Sequence, residues 1–163
     1  MKVGPLPFLN KADRYIVSLF RWQIVGALSF MGERFSEGQQ VANFKSALRK
    51  VTRALGVRFQ DVVWGLKLEY GRWGDRPKFH FLLSGLADAQ CPEACERIER
   101  AWHQMGGGRE VEIEPFDSAK NGLRYIAKRP IPRPANAVRS TAKFGVNGED
   151  ILFSENFVRA ANS

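Results

Sequence analysis

Cysteine is scarce: Cys91 and Cys95 are the only two in the 163 residues. Two thiols four residues apart on one predicted helix cannot form a disulfide framework. A zinc site would need two more ligands, and only His103 lies nearby. No run approaches the ~20 consecutive apolar residues that a membrane span requires. The start of the chain, with Lys2, Gly4, Pro5 and Pro7, does not resemble a secretory signal. These absences lead to the expectation of a cytoplasmic chain with no membrane partner. Internal repeats, low-complexity tracts and a helicase-type phosphate loop are missing as well, so any duplex unwinding would need a separate helicase. Acidic residues are absent from Ser118 through Gly148, a stretch that holds Lys120, Arg124, Lys128, Arg129, Arg133, Arg139 and Lys143.

The length suits one domain, read as residues 1–163 with a core over about 15–130 and a basic tail over 131–163. Apolar residues make up 44% of the chain, enough for a packed interior. The formal charge is +8, which favours a polyanionic partner and says little about fold.

Met1 to Asp13 has no steady period and reads as an arm. Trp22 to Met31 is a nearly continuous apolar run, as expected of a buried central strand. From Gln40 to Leu55, Val41, Phe44, Ala47, Leu48, Val51 and Leu55 recur at helical spacing, and Gly56 stands where a helix stop belongs. Asp61 to Tyr70 and Pro77 to Leu83 form a predicted hairpin across Gly71 to Arg76. Alternation puts Trp64, Leu66, Leu68 and Tyr70 on one face with Phe79, Phe81 and Leu83, leaving Lys67, Glu69, Lys78, His80 and Leu82 on the other. A second helix is predicted over Pro92 to Met105, then a short edge-like strand over Glu110 to Phe116. A third helix follows, capped by Asp117 or Ser118 and running to Lys128 or Arg129. A short strand or helix is expected near Ile151 to Ala161. The order β-α-β-β-α-β-α predicts an α+β fold: an antiparallel sheet with helices on one face and the other face open, the ferredoxin-like (split βαβ) arrangement.

Two groups of residues carry chemistry. In the third helix Leu123, Ile126 and Ala127 form an apolar stripe, while Asn121, Tyr125 and Lys128 fall on another side. A phenol with a pKa near ~10 is a poor nucleophile until its anion is stabilised, and a neighbouring ammonium supplies that help. The surrounding one-sign charge is what a phosphate backbone would seek; a half-packed Tyr beside a solvated cationic face is the plainer account. In the hairpin, pairing Tyr70 with Pro77 sets Glu69 against Lys78 and Lys67 against His80. Glu69 with His80 makes a partial site for Mg²⁺ or Mn²⁺, whereas a lone strand His is more often a hydrogen-bonded surface residue. Arg72, Trp73 and Arg76 in the turn could clamp and stack on unpaired bases, although Trp73 could equally close over the core.

The stretch GRWGDRPKFHFLLSG, followed by AWHQMGGGREVEIEP and then NGLRYIAKRP, resembles the HUH endonuclease superfamily. The likeness is to the rolling-circle replication initiators (Rep proteins) of plasmids and small single-stranded DNA phages. It covers roughly 23–130, and the run ending LSF at Phe30 is similar to that family's first motif. The resemblance implies single-stranded DNA, at an origin or hairpin, as partner. Tyr125 would be the nucleophile, leaving a 5′-phosphotyrosine link and a free 3′-hydroxyl, with Lys128 steadying the phosphate. It implies a divalent metal (Mg²⁺ or Mn²⁺) on His80, with Glu69 as a further ligand. It also implies DNA contacts from Lys67, Arg72, Trp73, Arg76, Lys120, Arg124, Arg129 and Arg133. Where the family carries its first His, this chain carries Lys78. A protonated Lys repels a metal ion. Three outcomes are open: DNA binding without cutting, cutting with Lys78 as the cation, or a site completed by another ligand. A nucleic-acid-binding module on the same fold is therefore the alternative. An RNA-binding sheet is a weaker one, because the aromatic signature Gly-Phe-Gly-Phe is missing.

Overall fold

The computed structural model describes residues 21–31, 37–69, 78–117 and 151–157. Strands β1 (Ile24–Phe30), β2 (Val63–Glu69), β3 (Lys78–Ser84), β4 (Gly107–Pro115) and β5 (Ile151–Phe153) form one sheet in the order β4-β1-β3-β2-β5. Every described pairing is antiparallel. Helix α1 (Glu37–Ala54) joins β1 to β2, and α2 (Cys91–Gln104) joins β3 to β4.

Both helices cover the same face. Ile24, Leu28, Trp64, Leu66, Phe79, Phe81 and Leu83 project from alternate strand positions into a core completed by Phe44, Leu48, Ile98 and Trp102. Phe44 of α1 lies 5.4 Å from the Phe81 ring and 5.6 Å from the Trp64 ring, and Trp102 of α2 lies 6.3 Å from Phe79. Those rings tie each helix to the central strands by edge-on and tilted contacts, not face-to-face stacking.

The helix ends follow from sequence. Past Ala54 the chain turns through Gly56, whose φ of 70° favours a residue without Cβ. The Val57 amide donates to the Thr52 carbonyl at 2.9 Å and the Gly56 amide to the Arg53 carbonyl at 3.2 Å. That pair of bonds is the Schellman closure, and it satisfies carbonyls the helix leaves over. At the end of α2 a different constraint operates. A Cβ on Gly107 would overlap the Trp102 indole, so β4 can leave the helix that closely only with glycine there. The indole Nε1–H donates to the Ser29 carbonyl at 2.8 Å, beside a register shift between β1 and β4. Gln23 closes the opposite end of β1. Its Oε1 accepts from the Gly85 and Leu86 amides at 2.9 Å each, and its Nε2 donates to Leu86 O at 2.6 Å and Asp88 Oδ1 at 2.9 Å.

Three expectations need correcting. The hairpin's first strand starts at Val63, because Phe59–Asp61 form a 3-10 turn in which the Asp61 amide donates to Arg58 O at 3.0 Å. The strand over Glu110–Phe116 begins earlier, at Gly107. The sheet's second face is not bare at its centre: Leu82 is 1% and Val25 6% exposed, apolar side chains that a solvated face would not favour. The predicted third helix, the arm and most of the basic tail lie outside the described residues. Within the tail, Ile151–Phe153 is a strand, laid along β2.

Cys91 and Cys95 are free and buried on the core side of α2. Burial pushes the Cys91 thiol up, and pushes Cys95 from its ordinary 9.0 to about 11. A raised thiol pKa means the folded state holds its proton more tightly. The resulting stability is fully present below pH 9 and is lost as pH rises toward 11. We expect neither thiol to react with a disulfide reagent at pH 8 until denaturant is added. Full labelling of the native protein within seconds would contradict this placement.

Candidate nucleic-acid interface on the second face

Strand pairing lays residues in register rows across the sheet, and alternation turns Val25, Ala27, His80, Leu82, Glu112 and Glu114 away from the helices. One row runs Glu112, Ala27, His80, Lys67, Ile151, and the next Glu114, Val25, Leu82, Gly65, Phe153. At the end of the hairpin where residues 70–77 connect its strands, Ser29, Lys78 and Glu69 stand in register. The sequence-derived register therefore holds: Glu69 is opposite Lys78, and Lys67 opposite His80.

His80 is 7% exposed, a buried imidazole and not the exposed surface residue of the plainer account. Its neighbour on β1 is Ala27, whose small side chain leaves room above the sheet. Glu112 stands on the far side of that alanine, about 10 Å away at the backbone, two strand spacings. A hollow of about 370 Å³ along β1 and β4 is lined by His80, Glu112, Glu114, Val25, Ala27 and Glu99, among others. Lys78 does not stand as a lone cation: its Nζ is 2.8 Å from Glu110 Oε2. That pair is partly exposed, so it contributes ~0–1 kcal/mol, but it fixes where the ammonium sits.

Glu110, Glu112 and Glu114 are the residues sequence reading missed. Their period-two spacing in GREVEIEP was legible, yet nothing local says that β4 lies two strands from His80. Among the described residues no three of His, Cys, Asp and Glu gather as an ion site. The described donors therefore do not by themselves fit Mg²⁺ or Mn²⁺. Only the backbone register of Lys67 and Glu69 is described. Tyr125, Lys128, Arg72, Trp73, Arg76, Lys120, Arg124, Arg129 and Arg133 lie outside the described residues. No described helix is long and apolar enough to cross a membrane.

No protein-family model, curated protein or solved structure matches this chain.

Proposed function

We propose that this chain binds single-stranded DNA on the second face of its sheet and nicks and rejoins it through Tyr125, in the manner of a rolling-circle replication initiator. The observation that carries the reading is the placement of His80 on the face turned away from α1 and α2, with Lys78 and Lys67 at adjoining register positions. Two helices on one face, with the order β4-β1-β3-β2, support the ferredoxin-like, HUH-type form of the fold. In the proposed step the Tyr125 phenolate oxygen attacks phosphorus. The bond to the 3′ oxygen breaks, that oxygen takes a proton, and a 5′-phosphotyrosine remains. Attack by a 3′-hydroxyl reverses the step and rejoins the strand. On the helix predicted from the sequence Lys128 follows Tyr125 by three residues, and it would stabilise the phenolate and the phosphate charge.

A second reading, DNA binding without cutting, is favoured by the Lys78–Glu110 ion pair, which puts an ammonium where the resemblance asks for an imidazole ligand. One assay separates them. The full chain is incubated with single-stranded DNA, in Mn²⁺ and in chelator, and resolved under denaturing conditions. A covalent protein–DNA band supports the nuclease; retained binding with no band in either condition overturns it.

Lys78→His tests the role of the ammonium. The change removes a positive charge, releases Glu110 and adds a nitrogen ligand beside His80. We expect saturating Mn²⁺ to stabilise the variant by ~2.7 kcal/mol at a hundredfold excess over Kd, and to raise adduct yield above wild type. A melting temperature indifferent to Mn²⁺ would show that Lys78 is not what keeps an ion out.

A further inference from the structure

From Gly38 onward, helix α1 carries Lys45, Arg49, Lys50 and Arg53 and no acidic residue. The core side of the helix is taken by Val41, Phe44, Leu48 and Val51, which leaves Arg49, Lys50 and Arg53 exposed on the solvent side. None of the four pairs with a described carboxylate; the described ion pairs engage Arg21, Arg58, Lys78 and Arg97 instead. The neighbouring helix differs. There Arg97 is bonded to Glu93, and Glu96 and Glu99 stand alongside Arg100.

Two of the α1 cations rest on rings. The Lys45 ammonium lies 5.8 Å from the Trp64 ring centroid, and the Arg49 guanidinium 4.8 Å from that of Phe59. Such seating narrows the rotamers of long side chains while leaving N–H donors toward solvent. Lys45, Arg49 and Arg53 climb the helix at four-residue steps, about 6 Å of rise each. The result is a short row of positive charge, unpaired among the described residues, on the layer opposite the face assigned above to single-stranded DNA.

We propose that this row is a second nucleic-acid contact and that its ligand is the phosphate backbone of duplex DNA. Surfaces that hold single strands interleave cations with exposed stacking rings. Here Trp64 is 3% exposed and Phe59 is covered by Arg49, so the row offers charge without a base platform. Backbone contact of this kind positions a duplex without reading its sequence, and its strength comes from counterion release. The row shares with the proposed function only that the partner is DNA. It requires nothing of Tyr125.

The test measures binding of the full chain to a blunt 20-base-pair duplex by fluorescence anisotropy between 50 and 200 mM salt. For Arg49→Gln/Arg53→Gln we expect affinity at 50 mM to fall about tenfold. The slope of log affinity against log salt should fall by about 1.8, or ~0.9 for each lost phosphate contact. Binding and covalent capture of an unpaired oligonucleotide should change less than about twofold. Glutamine keeps helix propensity at these exposed positions, and an unchanged melting temperature verifies folding. Arg97→Gln/Arg100→Gln removes the same charge from α2 and should leave duplex affinity within about twofold. The proposal is overturned if the α1 variant keeps its duplex affinity and slope, or if both double variants weaken the duplex equally. Equal losses for duplex and single strand would overturn it too. Failure of covalent capture in every protein, with the α1 effect intact, would count against the nuclease alone.

Discussion

Tyr125→Phe is expected to remove all covalent protein–DNA product while single-stranded DNA binding stays within about twofold of wild type. The substitution deletes one oxygen and keeps the ring, so it takes away the only atom the proposed step needs from that residue. A residual band at a few per cent of wild type would mean that another hydroxyl attacks. An undiminished band would end the assignment of Tyr125. In the proposed step Lys128 would act through charge and not as the attacking group, so Lys128→Gln should slow adduct formation without abolishing it. That contrast between total loss and partial loss distinguishes a nucleophile from a residue that stabilises its anion.

Trp102→Ala is expected to cost about 3–5 kcal/mol of unfolding free energy, the range for emptying a buried aromatic site. Trp102 is 1% exposed, approaches Phe79 and Phe30, and donates its indole N–H to Ser29 O. Loss of that bond adds the cost of a buried carbonyl left without its donor. For a domain of this size the change corresponds to a fall in melting temperature of roughly 10 °C. Denaturant titration checks it, with Trp102→Phe as the conservative companion that keeps much of the volume but not the donor. A loss below 1 kcal/mol for the alanine variant would mean that the indole does not join α2 to β1 and β4.

The core was legible because it depends on local period. Phe44, Leu48 and Val51 repeat at helical spacing, and Trp64, Leu66, Phe79 and Phe81 alternate, so each declares its buried side before any partner is known. The hairpin register was legible for the same reason: with one face apolar, a slip of one residue would turn Phe79 and Phe81 outward. Sheet order was not. That β4 lies beside β1, bringing Glu110 to Lys78 and Glu112 into the row of His80, is a long-range outcome that no window of sequence encodes. The burial of His80 was equally hidden, since alternation says which face a residue takes and not how deeply that face is covered. Val25 and Leu82 were the available signal: apolar residues on the supposedly open side.

Among the described residues the nine of β4 end the sheet on one side, an edge along which a second chain could add its own strand. Glu110, Glu112 and Glu114 stand at alternate positions along that edge. Glu110 is held by Lys78, but two copies approaching edge to edge in antiparallel register could set Glu112 and Glu114 of one against Glu114 and Glu112 of the other. The acidic residues that border the candidate DNA face would therefore disfavour strand addition along β4.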